Sequence, residues 1–193
     1  KIQKDLGDSV HWIDVSKTMK KHKDEEIYYH TDHHWTTLGA SYAYETLVKN
    51  MELDPSKVPA FKPYAVSNDF NGTLSSTSGY EAGYEEPIYI YAPKKDKDAV
   101  EVVVNYVDEQ KKTATLYDRS KLKGKDKYGM FLGGNYSMFD IRTTADTTAR
   151  LLLFKDSYAN AVIPFLTPYY REIIVIDPRY YYGDITEVMQ NHK

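Results

Sequence analysis

Three histidines and an aspartate fall within five positions of the run His30-Thr31-Asp32-His33-His34-Trp35. Imidazole and carboxylate ligate zinc and non-haem iron, so a metal centre on His30, Asp32 and His34 is one reading. Against it, adjacent side chains diverge, and His11, His22 and His192 supply no second cluster. Acid–base chemistry needs only two of these residues. In Asp32-x-His34 the i and i+2 side chains can share one side of a strand end or loop. The aspartate then accepts from the ring, sets its tautomer and steadies the imidazolium during proton transfer. The plainer alternative is a hydrogen-bonded turn capping a helix that starts near Thr36.

A second candidate is Phe154-Lys155-Asp156-Ser157-Tyr158-Ala159-Asn160. The apolar run ARLLLF reads as a buried strand, KDS as a sharp turn and YANAVIPFL as a helix. A strand–turn–helix displays a nucleophile at the carboxyl edge of a parallel sheet. The helix start adds free N–H groups and the positive end of its dipole, both useful to a developing oxyanion. The simpler reading makes Asp156 or Ser157 an N-cap and nothing more. Set beside an Asp-x-His elsewhere in the chain, Ser157 becomes the third member of a Ser-His-Asp triad. Gly133-Gly134-Asn135 is either a plain glycine turn or a close backbone approach with an amide that can donate to an oxyanion. Asp177-Pro178-Arg179-Tyr180 lies past the apolar run EIIVID, at the sheet edge expected for Ser157. There Arg179 orients a substrate or braces the site; the alternative is a surface arginine after a turn.

The elements that must hold these residues follow from periodicity. Residues 8–15 read as a strand, with Ser16 capping a short helix through Lys23, and Ile27–Tyr29 as a brief strand. Ala40, Ala43, Tyr44, Leu47, Val48 and Met51 line one helical face, with Thr36 or Thr37 as N-cap. Residues 53–86 are loop-rich. PIYIYAP, AVEVVVNYV and KTATLYD predict an antiparallel meander over about 87–118, joined by charged turns at 94–98 and 108–112. YGMFLGGN reads as a strand ending in a glycine turn. ARLLLF, the helix and EIIVID form a right-handed βαβ unit of a parallel sheet, with Pro164 shortening the helix. Asp184 and Glu187 open a last helix in a capping-box pattern. The fold class is α/β.

Composition bounds what remains. The 193 residues make one domain, or one with an appendage. At 41% hydrophobic and 27% charged, the chain can bury a core. With 25 basic and 28 acidic residues it lacks the basic surplus of a backbone-reading nucleic-acid binder. The absence of cysteine excludes disulfides, thiolate zinc sites and thiol nucleophiles. It does not fix the compartment, since many exported bacterial proteins also lack cysteine. No apolar run is long enough for a membrane span. Tyrosine, at 19 residues against 6 Phe and 2 Trp, exceeds what a core requires. The excess fits either a sugar-binding groove or a tyrosine-rich strand surface. A chain opening on Lys1 and closing on Lys193, just into a helical pattern, reads as a fragment or a matured product of a longer protein.

TDHHWTTLGA together with FKDSYAN resembles the DHHW family, related to the alginate O-acetylation proteins of the SGNH-hydrolase superfamily. The resemblance runs from about Asp14 to Tyr182 and takes in NDFNGTLSSTSG, FLGGN and IDPRYY. It implies a single SGNH-like catalytic domain over 1–193, a parallel sheet flanked by helices, and the β-rich insertion at 87–118. The motif order is circularly permuted, with Asp-x-His ahead of the serine. By the same resemblance Asp32, His34 and Ser157 are catalytic, Asn135 is the oxyanion amide, and Gly72 or Gly134 supplies the oxyanion glycine. Arg179 joins them as a substrate-binding candidate, and no metal or cofactor is implied. Such proteins are exported and anchored by an N-terminal segment. They often stand beside a membrane-bound O-acyltransferase that passes acetyl across the membrane.

Three readings compete. The first is a serine-dependent O-acetyltransferase or acetylesterase acting on an extracellular or cell-wall polysaccharide through an acetyl-serine. The second is a non-catalytic carbohydrate-binding or cell-surface module with a vestigial site. The third is a metal-dependent hydrolase on His30, Asp32 and His34.

Overall fold

In the computed structural model, which describes residues 2–57, 59–80, 82–95 and 99–192, the run EIIVI becomes the most buried strand of the molecule. The elements are α1 (Ile2–Leu6), α2 (Ser16–Lys21), α3 (Thr37–Asn50), β1 (Phe61–Phe70), α4 (Thr73–Ser78), β2 (Glu86–Pro93), β3 (Val102–Tyr106), β4 (Lys111–Thr113), β5 (Met138–Thr143), β6 (Arg150–Phe154), α5 (Ile163–Leu166), β7 (Glu172–Ile176) and α6 (Ile185–Asn191). Short 3₁₀ turns lie between several of them. Among the described residues no helix is long and apolar enough to cross a membrane.

Five strands form the main sheet in the order β4-β3-β5-β7-β6. The expected βαβ unit is there: β6 and β7 are parallel, with Leu151 opposite Ile173 and Phe154 opposite Ile176. The expected parallel sheet is not, because β3, β4 and β5 all pair antiparallel and make the sheet mixed. A four-residue connection between β3 and β4 is too short for a parallel crossover. The strand next to β7 on its other side is β5, to which the sequence pattern assigns no element. Its sequence MFDIRT buries Phe139, Ile141 and Thr143 on alternate positions. Asp140 between them is held by Asn105 Nδ2 at 2.6 Å. YGMFLGGN is instead a 3₁₀ turn at Tyr128–Met130 followed by a single bridge, Tyr117 to Phe131.

The expected meander also divides. PIYIYAP leaves the main sheet and pairs with β1 in a separate two-stranded ribbon, with irregular register past Ala65. β1 fell in the segment read as loop because it contains Pro63. A ribbon edge tolerates a proline that a central strand would not. Only β3 and the three residues of β4 join the main sheet. Part of the charged turn at 94–98 lies outside the described residues. Residues 8–15 hold a 3₁₀ turn at Gly7–Ser9 rather than a strand. At α2, Asp14 accepts from the Ser16 N–H at 2.9 Å, so Ser16 is not the cap.

Alternation along β7 places Ile173 and Val175 in the large core with Phe70, Ile88, Phe131 and Ile163. Ile174 and Ile176 face the other side, under Val188 of α6. The helix α3 covers the large core with Ala40 and Tyr44. Its start is fixed twice. Thr36 Oγ1 accepts from the Gly39 N–H at 3.3 Å, and a Cβ at Gly39 would sit 2.2 Å from the Ile27 carbonyl oxygen. Only glycine lets the helix lie this close to the segment that carries the histidines. The tyrosines divide: Tyr44 and Tyr106 are buried and hydrogen-bonded in the core, while Tyr64 and Tyr89 are exposed on the ribbon strands.

Candidate active site

The histidine-rich run is a loop pinched at its base. Tyr28 and Trp35 form a bridge, the Tyr29 N–H donates to the His34 carbonyl at 3.2 Å, and the Thr36 N–H to that of Ile27 at 3.0 Å. The Glu86 carboxylate fills the interior. It accepts from the N–H groups of His30 and Thr31, each at 2.8 Å, and from Thr31 Oγ1 at 2.5 Å. Burial works against its charge, but these bonds outweigh burial and hold its pKa below the ordinary value. Thr31 Oγ1 accepts in turn from the Gly72 N–H at 3.1 Å, which ties the loop to the start of α4.

Within that frame Asp32, His34 and Ser157 form one hydrogen-bonded chain. Asp32 Oδ1 lies 2.5 Å from His34 Nδ1, and His34 Nε2 lies 2.8 Å from Ser157 Oγ. Asp32 Oδ1 also accepts from the His34 N–H at 2.9 Å. Its Oδ2 accepts from the Thr73 N–H at 2.8 Å and Thr73 Oγ1 at 3.0 Å. Asp32 is only 3% exposed. Burial alone would raise its pKa, yet the bonds from His34 and Thr73 bring it well below the usual carboxylate range. An ionised carboxylate only accepts, so the Nδ1 of His34 carries the proton. Its Nε2 is then the acceptor for the Ser157 hydroxyl. The Tyr128 ring stacks on His34 at 4.0 Å and 11°, which fixes the imidazole plane.

Ser157 follows β6 at the first position of a five-residue 3₁₀ turn, not of an α-helix. The cap is Asp156, whose carboxylate accepts from the Tyr158 N–H at 3.0 Å. That leaves the Ser157 hydroxyl to His34. Pro164 sits in the first turn of α5, so the expected single helix is split in two. His33 is exposed, with Nδ1 2.7 Å from Thr73 Oγ1. Its carbonyl accepts from the Tyr158 hydroxyl. Trp35 Nε1 donates to the Tyr158 carbonyl at 3.0 Å.

The two candidate glycines carry other duties. The Gly72 N–H goes to Thr31, and a Cβ there would sit 2.2 Å from that of Asp32, so Gly72 is a close-approach residue. The Gly134 N–H donates to the Phe131 carbonyl at 3.3 Å. Leu132, Gly133 and Gly134 all have positive φ, at 60°, 76° and 115°. This loop delivers Asn135 to the neighbourhood of the serine turn, where Asn135 Oδ1 accepts from Lys155 Nζ and Asn160 Nδ2, both at 3.2 Å. Arg179 braces: its Nε and Nη2 grip Asp177 at 2.8 and 2.6 Å. Asp177 also pairs with Lys155 Nζ at 3.4 Å. Burial lowers the Lys155 pKa, and the charge of Asp177 opposes that shift.

Glu86, Thr73, Tyr128 and Lys155 had not been singled out by spacing. Lys155 alone carried a local signal, two residues before the serine. As to metal, Asp32, His33 and His34 form the one cluster among the described residues whose ligand atoms lie within 4.8 Å of one another. Those of Asp32 and His34 are committed to the chain just described. His30 turns away to Glu86, 3.3 Å from its Nδ1.

No curated protein matches the sequence. Among solved structures, the chain is similar to a DHHW family protein from Eubacterium siraeum DSM 15702, at 25% identity and a TM-score of 0.74. That match covers 93% of this chain and 60% of the other. It is also similar to Bacillus cereus PatB1 with a sulfonyl adduct, at 20% identity and a TM-score of 0.73, covering 98% of this chain and 65% of that one. A second PatB1 structure matches at 21% identity and a TM-score of 0.63, over 91% and 64% of the two chains. This chain thus spans 60–65% of the length of these solved proteins. The DHHW protein family profile matches residues 2–176, across both the histidine loop and the serine turn, and the chain belongs to the DHHW family.

Proposed function

We propose that the protein is a serine-dependent, SGNH-type O-acetyltransferase or acetylesterase. The observation that carries this reading is the unbroken chain from Asp32 through His34 to Ser157, at 2.5 and 2.8 Å. Both distances are within the reach a nucleophile and its base require. Ser157 Oγ attacks the acetyl carbonyl carbon while its proton passes to His34 Nε2. The imidazolium is steadied by Asp32, which stays ionised. The oxyanion is met by the Ser157 N–H and by Asn135 Nδ2. When the intermediate collapses, His34 returns the proton to the departing oxygen and an acetyl-serine remains. An acceptor hydroxyl then gives its proton to His34 and takes the acetyl group as the Ser157 Oγ–carbon bond breaks, and His34 returns that proton to Ser157 Oγ. Water as acceptor makes the protein an esterase, and a sugar hydroxyl makes it a transferase.

Two further observations support the reading. Sulfonylating reagents mark activated nucleophiles, and the related PatB1 was solved with a sulfonyl adduct. A cavity of about 610 Å³ beside His30, lined by Tyr29, Tyr84, Tyr89 and Tyr91 and by none of Asp32, His34 and Ser157, suits a carbohydrate held beside the triad rather than at it, since phenol rings stack on sugar faces. The proposal extends to an extracellular or cell-surface setting, with a membrane-bound O-acyltransferase as acetyl donor. Its test is turnover of p-nitrophenyl acetate by wild type and Ser157→Ala, with intact-mass detection of the adduct. Wild type should gain one acetyl group on Ser157, and Ser157→Ala should neither gain it nor turn over. Equal hydrolysis by both would refute the serine mechanism. No hydrolysis by either, with no adduct, would favour a carbohydrate-binding module.

A further inference from the structure

Lys155 is a poor choice for a buried position unless its charge has work there. Its side chain is fully buried, and so is that of its partner Asp177. Burying an ammonium costs free energy that one carboxylate at 3.4 Å offsets only in part. Asp177 is itself held in a two-toothed grip by Arg179, which keeps it ionised and in place. At the other end of this line the ammonium meets Asn135 Oδ1.

An ammonium only donates, so the Asn135 atom that faces it has to be the oxygen. Asn160 reinforces this choice. Its Nδ2 gives hydrogen bonds to that same oxygen at 3.2 Å and to the Gly134 carbonyl at 3.5 Å. The cost is visible: Asn160 Oδ1 is buried without a partner among the described residues. Turning the Asn160 amide over would set its oxygen against two other oxygens. Two donors therefore converge on Asn135 Oδ1. Asn135 is exposed, and an exposed carboxamide without them would rotate freely. With its oxygen pinned inward, its Nδ2 is the outward end.

We propose that Lys155 is a positioning residue, set by Asp177 and Arg179, that fixes the Asn135 amide with its Nδ2 donor presented to the acyl oxyanion. The proposal rests on the serine reading for its consequence, but not for its geometry. Two measurements keep them apart. Side-chain ¹⁵N relaxation reads the Asn135 amide directly, with no substrate. Its order parameter should be high in wild type and fall to the flexible range, below about 0.6, in Lys155→Met. An amide equally rigid in both overturns the proposal, whether or not the protein acylates. The second measurement is the rate of Ser157 acetylation by p-nitrophenyl acetate, in Lys155→Met, Asn135→Ala and the double variant. Asn135→Ala should lose on the order of a hundredfold. Lys155→Met should lose roughly tenfold or more in the maximal rate with little change in KM. The double variant should be no slower than Asn135→Ala alone, because Lys155 acts through that residue. Losses that multiply overturn the proposal, since a merely structural or directly electrostatic lysine would lower the rate without Asn135. If Lys155→Met does not fold, Asn160→Ala leaves the buried ions untouched. It should loosen the same amide and add no loss on top of Asn135→Ala, and failure on both counts refutes the mechanism.

Discussion

Gly72→Ala adds one methyl group at a site where the structure leaves no room for it. The backbone there has φ −88° and ψ −164°, which any residue can adopt, so the substitution carries no conformational penalty of its own. The new Cβ would sit 2.2 Å from Asp32 Cβ and 2.4 Å from its Oδ2. Ordinary contact begins near 3.4 Å, so the two segments must part by about 1.2 Å. The bonds from Thr73 to Asp32 and from Gly72 to Thr31 span the same gap, and both lengthen with it. A displacement of about 1 Å in a positioning element costs on the order of a hundredfold in rate. We expect Gly72→Ala to lower kcat for p-nitrophenyl acetate by about that factor, with KM within a few-fold of wild type. Overpacking of this kind costs about 1–3 kcal/mol of stability. In a domain of this size each kcal/mol shifts Tm by roughly 2–4 °C. The assay is steady-state turnover beside a melting curve. A variant within twofold of wild-type kcat would show that the rate does not depend on where Asp32 is held.

His33 and His34 should separate cleanly. His34→Ala should abolish acetyl-ester turnover, whereas His33→Ala, which loses the contact with Thr73 Oγ1 and the packing of its ring on His34 at 3.9 Å but no member of the hydrogen-bonded chain, should lose a few-fold at most. Equal losses, read from kcat, would point back to a metal site. Stability should fall in acid, because Asp32, Glu86 and Asp177 all have pKa values lowered from ordinary values of 3.8 or 4.5. The unfolded chain binds those protons first, so their contribution is complete above about pH 5 and lost progressively as pH falls through the folded values. Glu86→Gln should lower Tm at neutral pH and make its fall between about pH 5 and 3 shallower; an unchanged slope would exclude Glu86 from the effect.

What could be read in the sequence was what depends on residue type and short spacing. The strand pair ARLLLF and EIIVID is legible because a strand buried on both faces has no polar alternation. The Asp32–His34 contact is legible because i and i+2 share a face. β1 and β5 were missed for the opposite reason. Pro63 and the polar end of FKPYAVSNDF look like loop, and MFDIRT carries an acid and a base, Asp140 and Arg142, that pair with each other within the strand while Arg142 also reaches Glu172 of β7. The mixed sheet was missed because the parallel pair at its edge was extended to the whole. Glu86 and Thr73 act on residues 55 and 41 positions away, and nothing local marks them. Gly72 stands beside Gly134 as a candidate donor in the sequence because spacing cannot say what a missing Cβ would meet.

The order of the proposed triad, with His34 ahead of Ser157, has a physical reading in the same contacts. The histidine loop and the serine turn lie 123 positions apart and on different elements, so chain connectivity does nothing to align them. Alignment comes from side chains. Trp35 Nε1 binds the Tyr158 carbonyl, and the Tyr158 hydroxyl binds the His33 carbonyl. These two bonds straddle the one between His34 and Ser157. Asp32 meanwhile anchors the loop on Thr73. Each residue of the Asp-His-His-Trp run thus fixes one degree of freedom of the loop against its surroundings. A geometry closed by side chains in this way is indifferent to which segment comes first in the chain. That is why a Ser-His-Asp arrangement can be built with its histidine ahead of its serine, and why the four-residue run, rather than the Asp-x-His pair alone, is the unit that has to be kept.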